Sequence, residues 1–269
     1  MAYVKPKTEE AQRKAFAELC EKPIEDQQEF FLKSFIFALG DDWKEVPRFA
    51  GIFRKYLHEA GEGKSDLNEV QASDFLQKNG VTRTAIQRKN ELTDIDLDNN
   101  KRISFVEYLL LHFKFMILKE YFKRLEKAPT MKLNAEIDVV GLTGVGALLL
   151  DELFTIPSQL PAELIEALEK FTATVRAREG RLKELREKAS QGGVKGMAAQ
   201  NEIIQMEKED TTEMNRLELT LNAAKKKAAK TSSSEQLLQE KLKKQQEEEE
   251  RKKQESKRRL QEKAALWNK

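Results

Sequence analysis

The chain has 269 residues, 35% charged and 39% hydrophobic, few glycines and prolines, and a net charge of only +2. That balance predicts an all-α protein of two or three units, with at least one long, solvated, coiled-coil-like section. The lone cysteine, Cys20, excludes an internal disulfide and suits a cytoplasmic location. MAYVKPKTEE lacks the apolar core of a signal peptide, and the run Val139–Phe154, broken by Asp151 and Glu152, is too short and too charged to span a bilayer. Charge is uneven. From Pro161 onward there are about five more basic than acidic residues, against roughly three excess acids before it.

In chain order, Glu9–Cys20 and Ile24–Leu39 read as helices. The second carries Phe30, Phe31, Phe35 and Phe37 as core residues, with Gly40 as its stop. Asp41 or Asp42 is placed to cap the next helix. Glu45–Ala60 follows, with Phe49, Ile52, Phe53 and Leu57 at helical spacing. The segment beginning at Ala60 resembles a metal-binding loop that has lost its ligands. With Leu67 at loop position 8, positions 1 and 12 fall on Ala60 and Gln71, neither of them a carboxylate. Asn79-Gly80 ends the helix that leaves it. Thr84 with Gln87 offers a capping box for the next helix, whose buried side is Leu92 and Ile95.

Then comes Asp96–Glu107, DLDNNKRISFVE. Oxygen-bearing side chains fall at positions 1, 3, 5, 9 and 12 of a twelve-residue loop: Asp96, Asp98, Asn100, Ser104 and Glu107. The backbone carbonyl of Arg102 supplies position 7. This is the spacing of a calcium-binding EF-hand, because a tight loop must wrap oxygens around a large hard cation and close on a bidentate carboxylate. Ile103 stands at position 8, where an apolar residue pairs with its counterpart in a second hand. Position 6, usually glycine because the backbone turns with positive φ, is Lys101. That departure, with two cationic side chains nearby, predicts an affinity on the order of micromolar rather than that of a tight buffer. Ca2+ is therefore the expected cofactor.

The exiting helix, Ser104–Lys127, is apolar all round and must be covered on most sides. His112 reads as a packed core histidine. Pro129 ends the helix, and residues 129–160 form a connector with an apolar helical piece around Val145–Phe154. From Pro161 a heptad pattern runs through Leu164, Leu168, Phe171, Val175, Arg178, Leu182, Leu185 and Ala189. Gln191-Gly192-Gly193 breaks it. A second helix runs from about Gly196 to Lys230, with Ile203, Met214, Leu217, Leu221 and Ala224 on one face. A third starts after Thr231–Ser234, although Lys243–Arg259 has no large apolar residue. The expected domains are a helical region at 1–45, a hand pair with its exiting helix at 46–128, the connector at 129–160, and a three-helix antiparallel bundle at 161–269.

Two histidines and one cysteine give no nucleophile–base pair, so the chain does not read as an enzyme. Its basic clusters, Lys225-Lys226-Lys227 with Lys230 and Arg251-Lys252-Lys253, suit docking to a large acidic partner. They lack the interleaved aromatics of nucleic-acid binders and the clean apolar face of a membrane-surface helix.

Taken together, the phenylalanine-rich front (EFFLKSFIFALG), the hand DLDNNKRISFVEYLLLHFKF and the basic helical rear resemble the calcium-regulated actin-bundling proteins of amoeboid cells. The resemblance implies F-actin cross-linking by a monomer with two or more filament-binding surfaces, in the cytoplasmic actin cytoskeleton of cortex and protrusions. It implies a strong surface within Gly193–Lys253, and bundling reduced by calcium. It assigns the metal ligands to Asp96, Asp98, Asn100, the Arg102 carbonyl and Glu107. The alternative is a calcium sensor whose coiled coil recruits a protein other than actin.

Overall fold

The computed structural model describes residues 5–59, 65–79, 84–126, 144–155, 160–209 and 214–230. Two compact units divide the chain, Met1–Asn222 and Ala223–Lys269. Within the first lie α1 (Glu9–Cys20), α2 (Ile24–Phe35), a 3-10 turn (Asp42–Lys44), α3 (Glu45–Glu59), β1 (Asp66–Asn68), α4 (Glu69–Asn79), α5 (Ala85–Ile95), β2 (Arg102–Ser104), α6 (Phe105–Arg124), α7 (Gly146–Thr155), α8 (Ala162–Ser190) and α9 (Gly193–Glu209). Residues 214–230 are also helical, and the described part of the second unit is 223–230. The fold is all-α, with one short two-stranded ladder among the described residues. No helix among them is long and apolar enough to cross a membrane.

Local chemistry sets most boundaries. Thr8 caps α1 by accepting from the Ala11 N–H. Thr84 and Gln87 form the expected capping box on α5, and Ser104 with Glu107 forms another on α6, each satisfying N–H groups that a helix start leaves open. Several boundaries differ from expectation, among them the end of α6 at Arg124 rather than Lys127 and the start of α9 at Gly193 rather than about Gly196. α2 ends at Phe35 rather than Leu39, because the chain tightens into turns that reach Gly40 at φ +56°. Asp41 stands at the start of the 3-10 turn without a side-chain capping bond.

The core forms around α2 and α6. α2 packs against α3, α6, α7 and α8, burying Phe31, Leu32 and Phe35 completely; Phe30 and Phe37 are only half-buried. α6 buries Phe105, Tyr108, Leu109, Phe113, Ile117 and Phe122 on more than one side. Its first turns meet an aromatic cluster, with Phe53 5.3 Å from Phe105 and Phe75 4.9 Å from Tyr108 between centroids. Such tilted and edge-on rings add to the area term of burial. His112 departs from expectation: its ring lies 4.4 Å from that of Phe49, yet the residue is exposed, because α6 leaves that edge uncovered. Desolvation by the neighbouring rings, with the Arg48 charge, lowers its pKa.

α8 and α9 form an antiparallel hairpin. Gly192 and Gly193 turn the chain at φ +71° and +66°, a region open to glycine at little cost. Gly196 permits close approach, since a Cβ there would stand 3.0 Å from the Ala189 carbonyl oxygen. Further along, the Arg181 guanidinium donates to Glu202 at 2.6 Å. Leu164, Leu168, Phe171, Val175, Leu182 and Leu185 are buried as the heptads predict, while Arg178 and Ala189 are half-buried. α8 also rests on the front of the molecule. Trp43 is fully buried, edge-on to Phe171 at 5.2 Å, and donates through Nε1 to Asn222 at 3.0 Å. The expected third rear helix lies outside the described residues.

Candidate functional site

The loop between α5 and α6 is built by its own side chains. Asp96 accepts from the N–H of Asn100 at 2.9 Å and of Lys101 at 3.0 Å. Asp98 accepts from the Asn100 N–H and side-chain amide at 3.1 and 2.9 Å. The Asn100 side-chain Oδ1 accepts from the Arg102 N–H at 2.6 Å. These bonds fold positions 1, 3 and 5 inward over a run of backbone donors, as an Asx-rich turn does. Asn99 and Lys101 take φ +59° and +60°, the conformation in which a side chain costs energy and glycine does not.

The loop is backed by the ladder. β1 pairs antiparallel with β2, with Leu67 opposite Ile103, the two residues at equivalent position 8. Both are buried. Arg102, opposite Asn68, turns its guanidinium onto Asp66 at 2.7 Å, which takes that cation into an ion pair on the ladder. Residues 60–64, where the first loop begins, lie outside the described residues.

Glu107 closes the loop from the first turn of α6. Its Oε1 accepts from the Leu97 N–H at 2.9 Å, and its Oε2 from the Ser104 N–H at 2.8 Å and hydroxyl at 2.9 Å. The residue is fully buried. Burial first, then the Asp98 charge, pushes the carboxyl up to about 8 despite those three donors. Asp98 is likewise raised to about 6, by burial and by Asp96. The structure therefore brings Asp96, Asp98, Asn100 and Glu107 to one loop. Ser104 is held in the capping box, and Arg102 lies on the ladder.

Two residues the loop spacing does not reveal also meet it. Cys20, at the end of α1, places Sγ 3.2 Å from the Ser104 hydroxyl, and its sulfur, an Asp98 oxygen and a Glu107 oxygen all lie within 4.8 Å of one another. Burial and the Glu107 charge push the thiol up. Gln27 is fully buried; its Oε1 accepts from the Val106 N–H at 2.9 Å, and its amide donates to the Cys20 and Lys22 carbonyls at 3.0 and 2.8 Å. One side chain thus ties the first turn of α6 to the α1–α2 corner. α2 and α3 pass on to α8 through ion pairs: Lys33 with Glu169 at 2.9 Å, Arg176 with Asp26, and Arg54 bridging Glu25 and Glu179 at 3.0 and 2.9 Å. These links join residues far apart in sequence, so periodicity cannot find them.

Of the basic positions, Lys226, Lys227 and Lys230 are exposed, whereas Lys225 is buried at 9% exposure. The cluster is therefore not a single outward face, because four positions in one helix span more than one of its sides. Arg251, Lys252 and Lys253 lie outside the described residues. On α9, Val194, Met197 and Ile204 are exposed at 81%, 65% and 44%.

Residues 115–265 match the family model described as F actin bundling C terminal. No curated protein matches the chain. Among solved structures, the crystal structure of a 34 kDa F-actin bundling protein from Dictyostelium discoideum is similar over 86% of this chain and 91% of that one, at 20% identity and a TM-score of 0.39. With the family model spanning more than half of its 269 residues, the chain belongs to the F-actin bundling C-terminal family.

Proposed function

We propose that this protein binds F-actin and bundles it, and that Ca2+ held by Asp96, Asp98, Asn100, the Arg102 carbonyl and Glu107 reduces bundling. Membership of the family, by a match that begins within α6 and runs through the helical rear, carries the actin reading. The exposed Lys226, Lys227 and Lys230, with Arg251, Lys252 and Lys253 further on, suit an acidic filament surface.

The calcium reading is supported by the loop chemistry. Asp96, Asp98, Asn100 and Glu107 gather three carboxylates and an amide oxygen in one short segment, a donor set for a hard cation. A bound dication would neutralise the carboxylates that burial and mutual repulsion now hold in part protonated. Glu107 is the third residue of α6, next to Val106 and its bond to Gln27. Any displacement of that first turn is felt at the α1–α2 corner, and through the ion pairs of α2 and α3 at α8. The switch is then a movement of packed helices rather than the opening of a lid.

The test is paired sedimentation with F-actin, at low speed for bundles and high speed for binding, in EGTA or in calcium. Loss of the low-speed pellet in calcium, with the high-speed pellet retained, is the expected result. Absence of both pellets in both conditions would overturn the actin reading, and pellets indifferent to calcium would overturn the regulation.

A further inference from the structure

We propose that Cys20, Asp98 and Glu107 form a site for a borderline or soft divalent cation of the zinc type, distinct in its donor set from the hard-cation loop that shares two of its residues. The donors come from three places in the chain: the last residue of α1, the middle of the loop, and the first turn of α6. Their ligating atoms already stand within 4.8 Å of one another. A tetrahedral zinc, at about 2.3 Å from sulfur and about 2.1 Å from oxygen, requires each to move on the order of 1 Å, and leaves a fourth position for water.

The sulfur is there by construction. Gln27, itself 0% exposed, holds the Cys20 carbonyl with its amide and the Val106 N–H with its oxygen, so the residue bearing the thiol and the neighbour of Glu107 are fixed to the same side chain. Cys20 is 2% exposed and Glu107 0%, so the trio is screened from competing ligands on the protein side, while half-buried Asp98 leaves a way in from solvent. An all-oxygen calcium loop has no use for a thiol. A thiolate with two carboxylates instead selects for zinc over calcium and magnesium, the thiol losing its proton as the metal binds.

Because Asp98 and Glu107 would belong to both sets, the two cations exclude each other. That exclusion rests on the calcium reading above; the zinc site itself does not. Zinc would also bond α1 directly to α6, which calcium bound to the loop would not.

The experiment uses the full chain stripped of metal. Titration with Co2+ alone should produce thiolate-to-cobalt charge-transfer absorption saturating at one equivalent, which Zn2+ then displaces. This readout needs no variant. Cys20→Ser should lose the band and weaken Zn2+ binding by at least about tenfold, leaving Ca2+ binding within about threefold. Asp96→Ala should do the reverse, weakening Ca2+ by at least about tenfold with Zn2+ little changed. Absence of thiolate absorption in the parent, or equal Zn2+ affinity in Cys20→Ser, would overturn the site. So would parallel loss of Zn2+ and Ca2+ in Asp96→Ala, which would place zinc among the loop oxygens. Thiol-dependent Zn2+ binding without any Ca2+ binding would uphold this site while removing the calcium reading.

Discussion

Lys101 holds φ +60° where the loop must turn left, a conformation that costs an ordinary residue about 1 kcal/mol relative to glycine. Lys101→Gly should therefore raise stability by up to about 1 kcal/mol in denaturant unfolding and tighten calcium in direct titration, as strain and a nearby cation are removed together. A weaker calcium response in that variant would contradict the loop assignment. Glu107 sets a pH dependence. Burial pushes its carboxyl from the ordinary 4.5 up to about 8, so the folded protein binds the extra proton between those values. Stability in the metal-free protein is then greatest below about pH 4.5 for this group and is lost as pH rises through 8. Thermal melts in EGTA from pH 5 to 8 should show a decline that Glu107→Gln flattens. Trp43 fills the contact between the 3-10 turn and α8 with no exposed surface, and Trp43→Ala should cost about 3–5 kcal/mol by the same unfolding measurement.

Between elements, the most consequential bonds are those of Gln27. Gln27→Met keeps the volume but removes the buried acceptor of the Val106 N–H and the buried donor to the Cys20 carbonyl, a loss of about 1–3 kcal/mol. It should also weaken the effect of calcium on bundling more than it weakens calcium binding, since it cuts the link and spares the loop. Unchanged coupling would place the route elsewhere. What could be read from sequence at this scale follows from locality. The capping box at Thr84 joins residues three apart, and the heptads of α8 depend only on helical period, so both were legible; the box at Ser104 was not read, because Ser104 and Glu107 stood at ligand positions of the loop. Leu67 opposite Ile103 was legible because loop position fixes strand register. Cys20 beside Ser104, 84 positions away, and Lys33 on Glu169 carry no such period, so only the packed chain shows them. The early end of α2 and the exposed edge of His112 were hidden for a related reason. Both depend on what packs alongside, and an apolar pattern does not name its neighbour.

For the whole molecule, the proposed regulation places control in a loop of twelve residues, while the family match begins beyond that loop. Under that proposal the front would act through α2, α3 and α6 on the helices that follow, with the ion pairs from α2 and α3 to α8 as the route. The measurement that tests this most directly is low-speed and high-speed F-actin sedimentation of the parent and the Asp96→Ala/Glu107→Gln variant, each in EGTA and in calcium. Calcium should remove bundles from the parent's low-speed pellet, while the double variant should bundle equally in both conditions and bind filaments as before. A double variant that remains calcium-sensitive would contradict regulation through this loop and place the working calcium site outside residues 96–107.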